Sequence, residues 1–173
     1  IETMKIFGAQ VEQISDHGKT SWKIPNQKLN GVSITVEPDL SNAAPFMAAA
    51  IATNGKVLIK HWPRVTTQAG DALRDIFTQM GGNIYFSDEG LVVEGTGVIK
   101  GIDRDLHEVG ELTPSIAALA ALASTPSALR NIGHLRLHET DRLNAIATQI
   151  NNLGGKVEEL PDALLIEPKN LKG

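Results

Sequence analysis

The sequence predicts a layered α/β fold built from one repeated unit, and three observations carry that prediction. Glycines at 8, 81 and 154 stand at a constant spacing of 73 residues. Each ends a stretch whose apolar residues fall at helical spacing. Between the second and third glycines the order strand, helix, strand, helix, strand, strand recurs, which means one supersecondary unit used repeatedly. That period is longer than the common solenoid repeats of about 20–50 residues, so the units are small folds of helices packed on a sheet.

The elements follow in order. Residues 1–7 carry Met4 and Phe7 on one side and read as the end of a helix stopped at Gly8. Residues 10–13 and 21–24 are short strand candidates around the turn-forming Ser15, Asp16, His17 and Gly18. After a polar connector, Val32, Ile34 and Val36 alternate with Ser33, Thr35 and Glu37, the pattern of a half-buried strand. Asp39 or Ser41 caps an Ala-rich helix running to about residue 53, and residues 56–60 form the next strand. A helix over 67–80 shows Leu73, Ile76, Phe77 and Met80 on one face. Gly81 and Gly82 stop it, and strands 83–86 and 91–94 pair across Asp88, Glu89 and Gly90.

An ungapped shift of 73 places Ser41 on Pro114, Phe46 on Leu119, Ile59 on Ile132, His61 on His134, Thr67 on Thr140, Met80 on Leu153 and Glu94 on Glu167. The second copy therefore has a strand at 128–132. Its second helix starts at Thr140, with Leu143, Ile146, Ala147, Ile150 and Leu153 on one face and Gly154 and Gly155 at its end.

Composition narrows the function classes. Aromatics make up only 4% of the 173 residues, so Ala, Leu, Ile and Val carry the packing within a hydrophobic content of 42%. Sixteen basic residues against 20 acidic ones give a net charge of −4, which offers no basis for binding nucleic acid or a membrane surface. The absence of Cys excludes a disulfide framework and cysteine chemistry, and it fits a reducing cytoplasm. No signal peptide and no apolar run of 18 residues is evident. The chain opens on Ile at what reads as a helix end, as an excised piece would.

The second copy differs from the first where chemistry is carried. It has extra residues over 102–110, closed by Glu111, two positions before Thr113 and Pro114, an N-cap followed by Pro at the first helical position. Its connector, 131–143, brings together His134, Arg136, His138, Glu139, Asp141 and Arg142. Glu139 and Arg142 lie at a helix N-terminus, where free N–H groups and the dipole favour an anion. Glu111 and Glu139 each precede a helix of the same unit, and two carboxylates so placed can share acid and base duties if their environments differ. The matching positions of the first copy, Pro38 and Thr66, do not ionise. Two plainer readings stand beside this one. Thr140 and Asp141 simply cap a helix while Glu139 and Arg142 are solvated charges, or His134 and His138, four residues apart beside a Glu, ligate zinc.

The run His138-Glu139-Thr140-Asp141-Arg142-Leu143 resembles the Lys/His-Glu-Thr/Ser-Asp-Arg-Leu signature of the 5-enolpyruvylshikimate-3-phosphate (EPSP) synthase family. Leu129-Arg130-Asn131-Ile132 before it and Leu153-Gly154-Gly155 after it sit where that family has them. The resemblance implies a partial inverse α/β barrel, since the family is built from six βαβαββ units, three in each of two hinged domains. Residues 1–37 would be the tail of one unit with a hinge strand, and 38–96 and 97–173 two units of one domain. It implies the transfer of the enolpyruvyl group of phosphoenolpyruvate to the 5-hydroxyl of shikimate 3-phosphate, with release of phosphate. In that scheme Glu111 takes the hydroxyl proton, Glu139 serves proton transfer at the methylene carbon, and Arg142 clamps phosphoenolpyruvate.

His138 and His134 would contact substrate, although many members have Lys and Asn at those two places. No cofactor and no metal is implied, and the partners are the two small-molecule substrates of a cytoplasmic, monomeric parent. The family's other phosphate-binding segments have no counterpart in these 173 residues, so the chain alone is expected to be silent. The alternatives are the related UDP-sugar enolpyruvyl transferase and a non-catalytic repeat module that binds a partner.

Overall fold

Short strands of three to five residues form three separate sheets among the described residues. The structure, a computed structural model, describes residues 1–172. It divides into two units, Ile1–Val36 and Glu37–Gly173.

In the first unit, α1 (Glu2–Ile6) carries the Lys5–Glu2 ion pair at 2.9 Å and ends at Gly8, whose φ of 78° suits a residue without Cβ. β1 (Glu12–Asp16) and β2 (Lys19–Lys23) pair antiparallel, with Ile14 opposite Ser21. The pairing starts two residues later than the sequence pattern suggests and extends to Asp16. The turn narrows to His17 and Gly18, both at positive φ, a two-residue hairpin connection whose twist matches that of its strands. The alternating stretch over 32–36 is not a strand. Val32, Ile34 and Val36 are all exposed, and no sheet edge supplies the hydrogen-bond partners that alternation alone cannot provide.

In the second unit the repeat is visible in the backbone. A three-residue 3₁₀ turn at Ser41–Ala43 leads into α2 (Ala44–Ala52), followed by β3 (Lys56–Lys60). A second 3₁₀ turn at Ala69–Ala72 leads into α3 (Leu73–Gln79), and β4 (Asn83–Phe86) and β5 (Gly90–Glu94) complete an antiparallel sheet of order β3-β5-β4. The second copy contains β6 (Asp103–Asp105), α4 (Thr113–Ala120), β7 (Ser127–Arg130), α5 (Arg142–Asn152), β8 (Lys156–Glu159) and β9 (Leu164–Glu167). Its sheet runs β6-β7-β9-β8, with β6 parallel to β7.

The shift of 73 holds from the second helix onward. Gly81 and Gly154 both follow a helix at positive φ, donating to Thr78 and Asn151, while Gly82 and Gly155 donate to Phe77 and Ile150. Asn83 faces Glu94 as Lys156 faces Glu167.

Earlier in the unit the ungapped match fails. The buried residues of α2, Met47, Ala48, Ala50 and Ile51, correspond to Ile116, Ala117, Leu119 and Ala120 of α4, a shift of 69. Val57 faces Val93 where Ser127 faces Ile166, a shift of 70 for the strands. His61 and Asn131 share a φ of 58° at the ends of those strands. His61 therefore corresponds to Asn131 and not to His134, Pro45 and not Ser41 corresponds to Pro114, and the counterpart of Glu111 is Asn42 rather than Pro38. The three additional residues of the second copy lie in the connector between β7 and α5, where a 3₁₀ turn at Gly133–Leu137 takes them up.

One core serves this unit. Met47, Phe77, Leu91, Leu112, Ile116, Leu129 and Leu143 are buried within a single cluster, each side chain stabilising the fold by about 1.5–3 kcal/mol. α4 packs against α2, and α5 packs against α4 and β8, so the starts of α4 and α5 belong to neighbouring elements.

Candidate functional site

The start of α5 is set by Asp141, not by Thr140. Asp141 is extended (φ −69°, ψ 93°), and its carboxylate accepts from the Asn144 amide at 3.1 Å. A carboxylate satisfies an orphan N–H and faces the positive end of the helix, an advantage that a hydroxyl lacks. The Asn144 amide and Arg136 together hold the Asp141 carboxyl below the usual aspartate range. At α4 the expected cap is also displaced. A 3₁₀ turn, His107–Leu112, runs straight into the helix, so Thr113 becomes its first residue, buried and with its hydroxyl unpartnered.

Glu139 precedes Asp141 by two residues and reaches over the first turn of α5 to Arg142. Nη2 of Arg142 donates to Oε1 at 2.6 Å and Nε donates to the same oxygen at 3.2 Å. This guanidinium, aided by the backbone and by His138, holds the Glu139 carboxyl below the ordinary glutamate range. His138 Nδ1 lies 3.9 Å from the other Glu139 oxygen. Glu139 and Arg142 share an open groove with Pro114 and Ala118 of α4 and with Ile146 and Gln149 of α5. The pair at the start of α5 thus faces the first turns of α4.

The histidines form a row. The rings of His134 and His138 lie 6.4 Å apart, and His107 meets His134 edge-on at 5.3 Å. His134 packs beneath Gly110, where a Cβ would collide with its imidazole, so the row runs under the backbone next to Glu111. Glu111 itself accepts the Ser41 hydroxyl at 2.7 Å. Among the described residues no hydrogen bond links Glu111 to Glu139 or Arg142, and no three His, Asp or Glu side chains converge at metal-ligand spacing. The structure therefore joins Glu139 and Arg142 directly, sets His138 and His134 beside them, and places Glu111 at the adjoining helix start.

Three side chains organise this region in roles that the sequence did not assign to them. Ser41 holds Glu111, His107 meets His134 edge-on, and Arg136 ties the connector down. Only Arg136 leaves a trace in the sequence, as a cation lodged between two histidines inside the connector that lengthens the second copy.

Comparison with known proteins extends the local picture to the whole chain. Residues 1–173 match the family model described as EPSP synthase (3-phosphoshikimate 1-carboxyvinyltransferase). The chain is 46% identical over 173 residues to a 3-phosphoshikimate 1-carboxyvinyltransferase of Kocuria rhizophila, covering 100% of this chain and 38% of that protein. It is 44% identical over 171 residues to one from Tropheryma whipplei, covering 99% of this chain and 38% of that protein. Two structures of EPSP synthase from Acinetobacter baumannii superpose with TM-scores of 0.75 and 0.70 at 24% and 23% identity, each over 96% of this chain and 39% of the other. The fold is thus a part of the one seen there, and the chain spans 38% of the length of the curated relatives it matches. By the match over its whole length, the chain belongs to the EPSP synthase family.

Proposed function

We propose that this chain supplies one wall of an enolpyruvyl-transfer site, at which the enolpyruvyl group of phosphoenolpyruvate moves to the 5-hydroxyl of shikimate 3-phosphate and phosphate leaves. Residues 1–37 act as the tail of a preceding unit and a hinge segment, and 38–96 and 97–173 are two repeat units of one domain. The observation that carries the reading is the Glu139–Arg142 pair at the start of α5, in a groove shared with α4.

The pair has the right electrostatics for the chemistry. Without substrate, Arg142 holds the Glu139 carboxyl below the ordinary glutamate range. A planar guanidinium binds a carboxylate or phosphate through two parallel bonds, so phosphoenolpyruvate competes with Glu139 for it. Once the anion takes the guanidinium, Glu139 loses the donor that held its proton affinity down and gains the negative charge of the substrate nearby. Both changes favour its protonated form, the form needed to deliver a proton to the methylene carbon. Glu111 takes the hydroxyl proton, while His138 and His134 add donors to the substrate anions. The parent works in the cytoplasm as a monomer, with no metal, cofactor or nucleic acid taking part.

The test is a chimera in which this chain replaces the matching segment of the Kocuria rhizophila relative. It should release phosphate from phosphoenolpyruvate only when shikimate 3-phosphate is present. A folded chimera that binds neither substrate would overturn the reading.

A further inference from the structure

Arg136 is half-buried inside the connector and reaches four acceptors on three segments. Its Nη1 donates to Asp141 Oδ2 at 2.7 Å and to Glu159 Oε1 at 2.6 Å. Its Nη2 donates to the Leu160 carbonyl at 2.7 Å and its Nε to the Pro161 carbonyl at 2.9 Å. Asp141 is the cap of α5, Glu159 ends β8, and Leu160 and Pro161 form the turn into β9. The two carboxylates push the guanidinium further into its charged form, Glu159 the more strongly.

The connector needs such a clamp. It is three residues longer than in the first copy, and its 3₁₀ turn has one apolar anchor, the fully buried Leu135. Leu137, next to His138, is 89% exposed and anchors nothing. Arg136 lies within the stretch that lengthens the second copy's connector, so the first copy has no residue in its place. A lysine would not replace it, because three donors on one nitrogen cannot span acceptors spread around a guanidinium plane.

We infer that Arg136 is a positioning residue: it fastens the lengthened connector to the α5 cap and the β8–β9 turn, and so fixes His134, His138 and Glu139 relative to Arg142. Arg142 stands on the helix itself and is held without the clamp. Loosening the connector therefore displaces the proton-transferring groups and leaves the anion anchor in place. This second consequence rests on the enolpyruvyl-transfer reading; the first does not.

The experiment has two arms. In the 173-residue chain, Arg136→Lys is compared with the unaltered protein by amide and imidazole resonances. Large changes are expected over 133–140, with the α2 and α3 signals unmoved. In the chimera, the same substitution should lower turnover about 100-fold, as an ångström-scale misplacement does, with the KM for phosphoenolpyruvate within about threefold. Glu159→Gln, which removes one charged arm at a distance from the groove, should act in the same direction more weakly. Unmoved resonances over 133–140 overturn the clamp whatever the chimera does. Moved resonances with a KM that rises as turnover stays level overturn the assignment of what it positions. A chimera inactive before any substitution counts against the proposed function alone, and the resonance arm still decides the clamp.

Discussion

Ser41 and Glu111, 70 residues apart, meet at 2.7 Å and tie the 3₁₀ turn before α2 to the residues just before α4. The bond crosses from one repeat to the other, so the first copy helps to orient a charged residue of the second. The hydroxyl donates to a carboxylate that has no ion pair of its own among the described residues.

Ser41→Ala should leave the fold intact, since an exposed hydrogen bond contributes about 0.5–1.5 kcal/mol at most. If Glu111 is the base, turnover of the chimera should fall several-fold, and Ser41→Thr should restore most of it. Equal losses from Ala and Thr would mean that the hydroxyl is not what matters.

Gly110→Ala tests the row of histidines. The added methyl would meet the His134 ring and press on Leu135, so the imidazole must move. The expected cost is about 1 kcal/mol in denaturant unfolding, with displaced ring resonances for His134 and His107. Unchanged resonances would show that His134 does not lie beneath Gly110.

Acid stability should report on Asp71. Arg74 donates two hydrogen bonds to it, and the buried Trp62 indole donates a third at 2.8 Å. Arg74 first, then Trp62, hold its carboxyl below the usual aspartate range. A depressed carboxyl contributes stability that is fully present above the unfolded-state value and is lost as pH falls through the lower folded one. The unfolding midpoint, followed by Trp62 fluorescence, should therefore decline below about pH 4, and Asp71→Asn should flatten that decline. A variant with the same acid limb as the parent chain would remove Asp71 from the account.

The second half of each unit was legible in the sequence because local signals decide it. Gly81 and Gly154 end helices at positive φ, and the hairpins after them pair in the same register. The first half was misaligned because Ala-rich helices such as α2 and α4 match at several shifts. Pro45 and Pro114 mark the true one. A three-residue lengthening taken up by a 3₁₀ turn leaves no gap signal in a single sequence. The strand pattern at 32–36 failed because pairing is a property of a partner edge. At the site, Glu139 and Arg142 were legible from the helix start they flank. The hold of Ser41 on Glu111 and the reach of Arg136 to Glu159 were not, since both act across 20 or more residues of chain.

The most direct test of the central claim is steady-state phosphate release by the chimera carrying Glu139→Gln, set beside Arg142→Lys. Gln keeps the size and much of the hydrogen bonding of Glu139 but transfers no proton. Turnover should fall by about 10²–10⁴ with the KM for phosphoenolpyruvate nearly unchanged, whereas Arg142→Lys should raise that KM because the bidentate fork is lost. Near-normal turnover with Glu139→Gln would contradict the claim that this carboxylate, freed from Arg142 by the substrate, carries the proton.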